Sequence, residues 1–369
     1  MAIYKTLVRK VSIPPDKKTK QKQYEVEGKL AIIDQGQKLI GGYSDDQTMK
    51  LECSLPVIVF GDHTCTVKYI DFPFGAGADG IKVLEPSELT IPKYLYYGTQ
   101  YLTLRFPDKG YARHYQHIEK MDLTVPPLPE QERIVTHIEE LFSELDKAVE
   151  TLQTTKQQLA VYRQAVLKEA FEGCTTVKAN TVCEHITDGD HMPPPKSESG
   201  IPFIMISNIK GNTICWDNTN YVNQEYYTAI GEKRTPKKGD ILYTVTGSYG
   251  IPVKVDFDKD FCFQRHIALL RPNEKITQNY LFYAMQSPDV YLQATKRATG
   301  TAQKTVGLSV LRDITIPFFE SVEKQNKVTD LIESRLSVCE SIEQIVDTAL
   351  AQADAMRQSI LKQAFEGGL

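Results

Sequence analysis

Two stretches of the chain carry apolar residues at alternating spacings of four and three. In the first these are Ile134, Ile138, Leu141, Leu145, Ala148, Leu152, Thr155, Leu159, Tyr162 and Val166. The positions 194 residues later hold Val328, Ile332, Arg335, Cys339, Ile342, Val346, Ala349, Ala353, Met356 and Ile360. Sustained over roughly 40 residues, this period predicts two amphipathic helices, each on the order of 60 Å long, with coiled-coil seams. Pro126, Pro127 and Pro129 mark the start of the first helix and Gly173 its end; Pro317 and Gly367-Gly368 do the same for the second. Small residues in the second seam, Ala349 and Ala353, permit close approach. The expected arrangement is an antiparallel pair serving as a rigid spacer. Its packing and docking positions are Ile134, Ile138, Leu145, Leu152, Leu159, Val328, Ile332, Ile342, Val346 and Ile360. The plainer reading is two unrelated helices, each docked on its own module.

Outside the helices the pattern changes to short β-rich runs broken by Gly, Pro, Asn and Asp. Residues 30–34, 55–60 and 80–84 read as strands in the first module, and 201–207, 240–245 and 266–270 in the second. Short helices are expected around 92–98 and 278–286. The predicted fold class is therefore α+β: two mixed modules, residues 1–125 and 174–320, separated by helices in 126–173 and 321–369. The chain repeats itself. Arg163-Gln164-Ala165-Val166-Leu167-Lys168-Glu169-Ala170-Phe171-Glu172-Gly173 returns as Arg357-Gln358-Ser359-Ile360-Leu361-Lys362-Gln363-Ala364-Phe365-Glu366-Gly367. Asp122-Leu123-Thr124-Val125-Pro126 returns as Asp313-Ile314-Thr315-Ile316-Pro317, and the offset drifts between landmarks as duplicated domains with variable loops would make it.

Composition adds less. The chain is 41% hydrophobic and 24% charged, with seven scattered cysteines and no CxxC pair, which argues against a disulfide framework or a zinc knuckle. No apolar run approaches a membrane span, and no leader-like pattern opens the chain, so a cytoplasmic setting is expected. The net charge of −4 is unevenly spread: residues 1–125 and 174–320 are slightly basic, and residues 130–173 and 321–369 are acidic. If a polyanion is the partner, the modules must hold it.

A specific resemblance rests on the ordered motifs. The second module contains Thr187-Asp188-Gly189-Asp190-His191, Pro193-Pro194-Pro195-Lys196, Gly200-Ile201-Pro202-Phe203-Ile204 and Ser207-Asn208-Ile209. Lys238-Gly239-Asp240-Ile241-Leu242, Gly247-Ser248, Gly250, Gly300-Thr301-Ala302-Gln303-Lys304 and Ile314-Thr315-Ile316-Pro317 follow, with Gln325 opening the helix. The first module keeps Gly28, Gly110-Tyr111-Ala112-Arg113 and Val125-Pro126-Pro127-Leu128-Pro129-Glu130-Gln131, but lacks Asp-Gly-x-His and a clear Gly-Asp-Ile-Leu. Over essentially its whole length the chain resembles the specificity subunits of type I restriction–modification systems. The resemblance implies a non-catalytic subunit whose two target-recognition domains each read half of a bipartite, asymmetric site in double-stranded DNA. It further implies helices that set the half-site spacing and dock two methyltransferase subunits, with a restriction subunit completing the complex. S-adenosylmethionine, ATP and magnesium would then belong to the partners, whose assembly would be a DNA adenine methyltransferase and site-specific deoxyribonuclease. A coiled-coil protein scaffold with peptide-binding modules is the alternative.

Basic and amide residues on loops are the candidate DNA contacts. Lys17, Lys18, Lys20 and Lys22 form one cluster, and Lys233, Arg234, Lys237 and Lys238 another. Arg113 and Lys304 occupy equivalent positions, which suits sequence-independent phosphate clamping. Asp188, His191 and Lys196 lie in the first motif of the second module, and Asn208, Ser248, Tyr249, Gln264 and Arg265 are its expected base readers. Catalytic-looking strings read otherwise. Gly75-Ala76-Gly77-Ala78-Asp79-Gly80 precedes a strand-like run rather than a helix, so it reads as a turn rather than a nucleotide loop. Pro15-Asp16 and Glu27-Gly28-Lys29 lack the second acidic ligand a nuclease would need, and His191 lacks a partner ligand for metal.

Overall fold

The computed structural model describes residues 1–77, 80–105, 112–191, 194–195 and 197–368. The chain divides into two compact units, Met1–Gln153 with Asp347–Leu369, and Thr154–Val346. The first long helix, Leu128–Ala170, and the second, Val322–Glu366, each run from one unit into the other.

Each unit is built on two small sheets in the same order. In unit 1 an antiparallel sheet runs Val8–Val11, Ile81–Pro86, Val57–Gly61, Val67–Ile70. In unit 2 its counterpart runs Cys183–Asp188, Ile267–Pro272, Ile241–Thr244, Pro252–Lys254. The second sheet of unit 1 runs Lys18–Thr19, Phe74–Gly77, Leu30–Ile33, Gly42–Ser44, with parallel pairing on both edges of Phe74–Gly77. Unit 2 repeats this as Cys262–Phe263, Ile201–Ile204, Asn220–Val222, with a parallel bridge from Asp190 to Gln264 in place of the edge strand. The duplication is therefore one of strand order and register as well as of sequence.

The expected strands and module helices appear with shifted ends, the helices as Pro92–Thr103 and Gln278–Ala284. Phe74–Gly77 is an additional strand, hidden in the glycine-rich string whose composition argues against one. Ile81–Pro86 follows as a further strand, so no helix opens after Gly80.

At the base of each long helix stands a fully buried glutamine. The Gln131 amide donates to the carbonyls of Leu89 and Pro126, both at 2.8 Å, and accepts from the Ile91 amide at 2.9 Å. Gln325, 194 residues later, donates to Lys275 and Phe319, both at 2.8 Å, and accepts from Thr277 at 3.0 Å. Ile91 and Thr277 are the residues just before the helices Pro92–Thr103 and Gln278–Ala284, so in each unit the amide clamps that helix to the long one.

Within each unit the long helices pack antiparallel. In unit 2, Arg163 meets Glu343 at 2.9 Å while Glu169 meets Arg335 at 2.7 Å. In unit 1, Arg357 pairs with Asp146 and lies over Phe142, and Leu361, Ala364 and Phe365 join the core around Tyr94, Ile134 and Ile138. Among the expected seam residues, Ile134, Ile138, Leu145, Ile332 and Val346 are buried, and Leu152, Leu159, Val328 and Ile360 half-buried.

Ile342 is the exception, 37% exposed, as are Ala148, Tyr162 and Met356 from the same pattern. The alternate seam positions lie one residue later, at Val149, Arg163, Glu343 and Arg357, which are half-buried. Hydrophobicity favoured Ile342 over Glu343, but the seam uses Glu343 to pair with Arg163. Both ends of the helices also dock on their own units: Val166, Leu167 and Phe171 lie in the core of unit 2.

Gln131→Ala and Gln325→Ala leave a buried amide and two carbonyls without partners. Each is expected to cost about 2–3 kcal/mol in urea unfolding of its own unit. Gln164→Ala, at an exposed position, serves as the control and should change stability by less than about 0.5 kcal/mol.

Candidate nucleic-acid interface

The clearest concentration of free polar chemistry is in unit 2, on the segment 264–266 that links Cys262–Phe263 to Ile267–Pro272. The Asp-Gly-Asp-His loop is zipped onto this segment. Asp190 N donates to Phe263 O at 3.3 Å, and Arg265 N donates to Asp190 O at 3.1 Å. Only glycine fits at position 189, where a Cβ would lie 2.0 Å from Phe263 O.

The two aspartates of the loop are spent on this scaffold. Asp188 is 2.8 Å from the His191 Nε2 and 3.8 Å from Arg234, and Asp190 accepts from the Tyr226 hydroxyl at 2.7 Å. Burial, then the hydrogen bond to Asp190, raises the Tyr226 pKa, which keeps it a donor. Asp240 of Gly-Asp-Ile-Leu is likewise structural. It is 1% exposed and accepts from Arg271 Nε and Nη2, each at 2.7 Å, and from the Lys237 amide at 2.7 Å.

His191, Gln264 and Arg265 line one recess of about 310 Å³, together with His266, Phe203, Met205, Asn220 and Tyr221. Ser248 lines an adjoining cleft of about 500 Å³ with Ser207, Thr246, Gln303 and again His266. Among the described residues the side chains of Gln264, Arg265 and His266 make no hydrogen bond or ion pair, so they are open to a ligand. Burial, reinforced by Arg265, holds the His266 pKa below the ordinary histidine value. The imidazole is therefore neutral near pH 7 and can both donate and accept. Sequence reasoning passed over His266 because a single histidine in a strand-like run carries no pattern. Its shared position between two clefts is what marks it.

Other expected contacts are placed differently. Asn208 is 4% exposed and its amide is used on Met205 N, Cys215 O and Thr219 Oγ1, which makes it a turn lock rather than a base reader. The Tyr249 ring stacks on Tyr291 and its hydroxyl bonds Thr295 at 3.1 Å, which draws it away from Ser248. Lys237 and Lys238 sit at the surface, paired with Glu232 at 2.6 Å and Asp258 at 3.4 Å. Lys304 is exposed, its carbonyl accepting from Gly247 N at 2.9 Å. Lys196 lies outside the described residues.

In unit 1, Arg113, Lys20 and Lys22 are exposed, Lys18 is half-buried, and Lys17 donates to the Thr48 carbonyl. Among the described residues no group of three His, Cys, Asp or Glu could hold a metal ion, and no helix is long and apolar enough to cross a membrane.

Comparison with known proteins decides the lineage. The family model for the type I restriction modification DNA specificity domain matches twice, over residues 10–160 and 176–345. The chain belongs to this family. One specificity-domain relative is the type I restriction enzyme EcoBI specificity subunit of Escherichia coli, 26% identical over 277 residues, or 67% of this chain. The chain matches only 58% of that relative's length. The EcoR124I/EcoR124II specificity subunit of Escherichia coli is 23% identical over 359 residues, covering 91% of this chain and 86% of the relative. A chain from a structural study of complex assembly and conformational transition of the type I R-M system shares the fold. It superposes with a TM-score of 0.70 at 16% identity, over 100% of this chain and 97% of that one.

Because burial outweighs Arg265 in lowering the His266 pKa, Arg265→Ala should raise that pKa yet leave it below the ordinary value, as read by NMR titration. A folded-state pKa below the unfolded one means that the contribution of His266 to stability is full at neutral pH. It is lost as pH falls through the ordinary histidine range.

Proposed function

We propose that the chain is the DNA-reading subunit of a type I restriction–modification complex. Each unit reads one half of a bipartite, asymmetric site in double-stranded DNA, and the helices set the gap and carry two methyltransferase subunits and a restriction subunit. The observation that carries this reading is the double match of the family model, one per unit, onto two copies of the same sheet order. Two readers of one design but different loops suit two different half-sites.

The chain needs no chemistry of its own in this role. S-adenosylmethionine, ATP and magnesium belong to the partner subunits, and the methylated base is adenine. The open Gln264, Arg265 and His266 side chains, with Ser248 across the adjoining cleft, are the second unit's base readers. Arg113 and Lys304 hold phosphate. The setting is the cytoplasm, where the host DNA lies.

Methylation mapping of the host genome should return one split adenine-methylated motif that disappears when the gene for this chain is deleted. A motif that persists, or a binding-site selection with the methyltransferase partner that enriches no split consensus, would sink the reading in favour of a protein scaffold. Arg113→Ala and Lys304→Ala should each weaken binding to all sequences alike and reduce the salt slope by about 0.9. A changed sequence preference would reassign the residue to base reading.

A further inference from the structure

The matching registers of the two units allow their recesses to be compared position by position. In unit 1, Ile32 pairs with Gly42 and Gly77 pairs with Thr19. In unit 2, Phe203 pairs with Asn220 and Gln264 bridges Asp190. Gly42 and Gly77 of unit 1 thus correspond to Asn220 and Gln264 of unit 2.

Unit 1 lays an aromatic ring of its own across the two glycines. A Cβ on Gly42 would fall 2.6 Å from the Tyr24 Cβ and 2.9 Å from its Cγ, and a Cβ on Gly77 would fall 2.5 Å from the Tyr24 hydroxyl. Tyr24 therefore spans the space from Gly42 to Gly77, and neither position has room for a side chain.

In unit 2 the same space is open among the described residues, as a recess of about 310 Å³. Both glycines have become amides, and these line the recess together with Phe203, Tyr221 and His266. That volume is at the lower end of small-molecule sites, which run from about 300 Å³. A base edge in an intact major groove is met by projecting side chains and needs no such hollow. Aromatic walls with donor and acceptor groups converging between them suit a flat heterocycle with a hydrogen-bonding edge.

We propose that this recess is a socket for one nucleobase turned out of the duplex, packed against Phe203 and Tyr221 and read by Asn220, Gln264 and His266, with Arg265 at its rim reading the adjoining base. Unit 1, whose Tyr24 fills the equivalent space, has no such socket. The two readers thus differ in mechanism as well as in the bases they read. The inference rests on the DNA-reading function proposed above and names one site within it.

The test uses the full chain assembled with its methyltransferase partner, on duplexes carrying the mapped site with 2-aminopurine at one position at a time. Emission should rise several fold at one position of the half-site read by unit 2, other than the methylated base, and at none but the methylated base in the other half-site. A mismatch opposite that position should tighten binding, since the cost of unpairing has already been met. Gln264→Ala should abolish the rise and weaken binding about tenfold, the loss of one good base contact.

No rise beyond the methylated base, or a mismatch that weakens binding at every position, overturns the socket while leaving the DNA-reading function standing. Failure of the complex to select any split site would instead remove that function first. Should Gln264→Ala fail to fold, the mismatch series on the unaltered protein still decides.

Discussion

A fully buried amide must have its donors and its acceptor all satisfied, because each unmet group costs on the order of 1–3 kcal/mol. Gln131 and Gln325 meet that demand with three bonds apiece, to partners from the segment before the module helix and from the turn that opens the long helix. This constraint fixes where each long helix begins and how it leaves its unit. The cores then form around that fixed exit, Ile134 and Ile138 against Tyr94 and Leu95 in unit 1, Ile332 and Leu336 against Tyr280 and Leu281 in unit 2. The Pro-Leu-Pro-Glu-Gln string of the first copy and the lone Gln325 of the second thus share one physical role, which explains why a glutamine recurs where a helix needs only a start.

The helices and the strand-rich modules were legible in the chain because their causes are local: apolar period, proline and glycine boundaries, and a long duplicated block. The register of the seam was half legible. The positions seven apart, Leu145, Leu152 and Leu159, and Ile332, Cys339, Val346 and Ala353, are apolar and point inward to differing depths. The alternating positions hold Arg163, Glu343 and Arg357, and a pattern drawn from hydrophobicity steps over charged residues onto Tyr162, Ile342 and Met356. The pairing of Arg163 with Glu343 depends on two residues 180 apart in sequence meeting in the fold, and nothing local announces it.

The candidate site divides along the same line. Loop composition pointed to His191, Gln264, Arg265 and Ser248, and these do line the two clefts of unit 2. It also pointed to Asn208 and Tyr249, whose polar atoms are consumed inside the fold. Whether a polar side chain is free for a ligand depends on which backbone groups its own turn leaves unpaired, and that is settled only by tertiary structure. Motif strength proved a poor guide to exposure. Asp188, Asp190 and Asp240, from the strongest strings, are scaffold, while His266, from no string at all, borders both clefts.

The two units show what duplication permits once the scaffold is secured. Their strand order, their buried glutamines and the paired arginines of the long helices are held in common, and all of these serve packing. One difference lies on the face carrying the second sheet. Unit 1 uses two glycines to admit Tyr24, trading any hydrogen-bonding edge there for a packed surface. Unit 2 puts amides at the same two positions and keeps a hollow. Filling a hollow with a ring stabilises the fold, since apolar burial contributes roughly 25 cal/mol per Å². A unit that leaves it open forgoes that gain and exposes polar groups that could have been paired. Such a choice is sustained where the missing contacts are supplied from outside, which is the physical reason for placing the proposed socket in the emptier recess and not in the better-packed one.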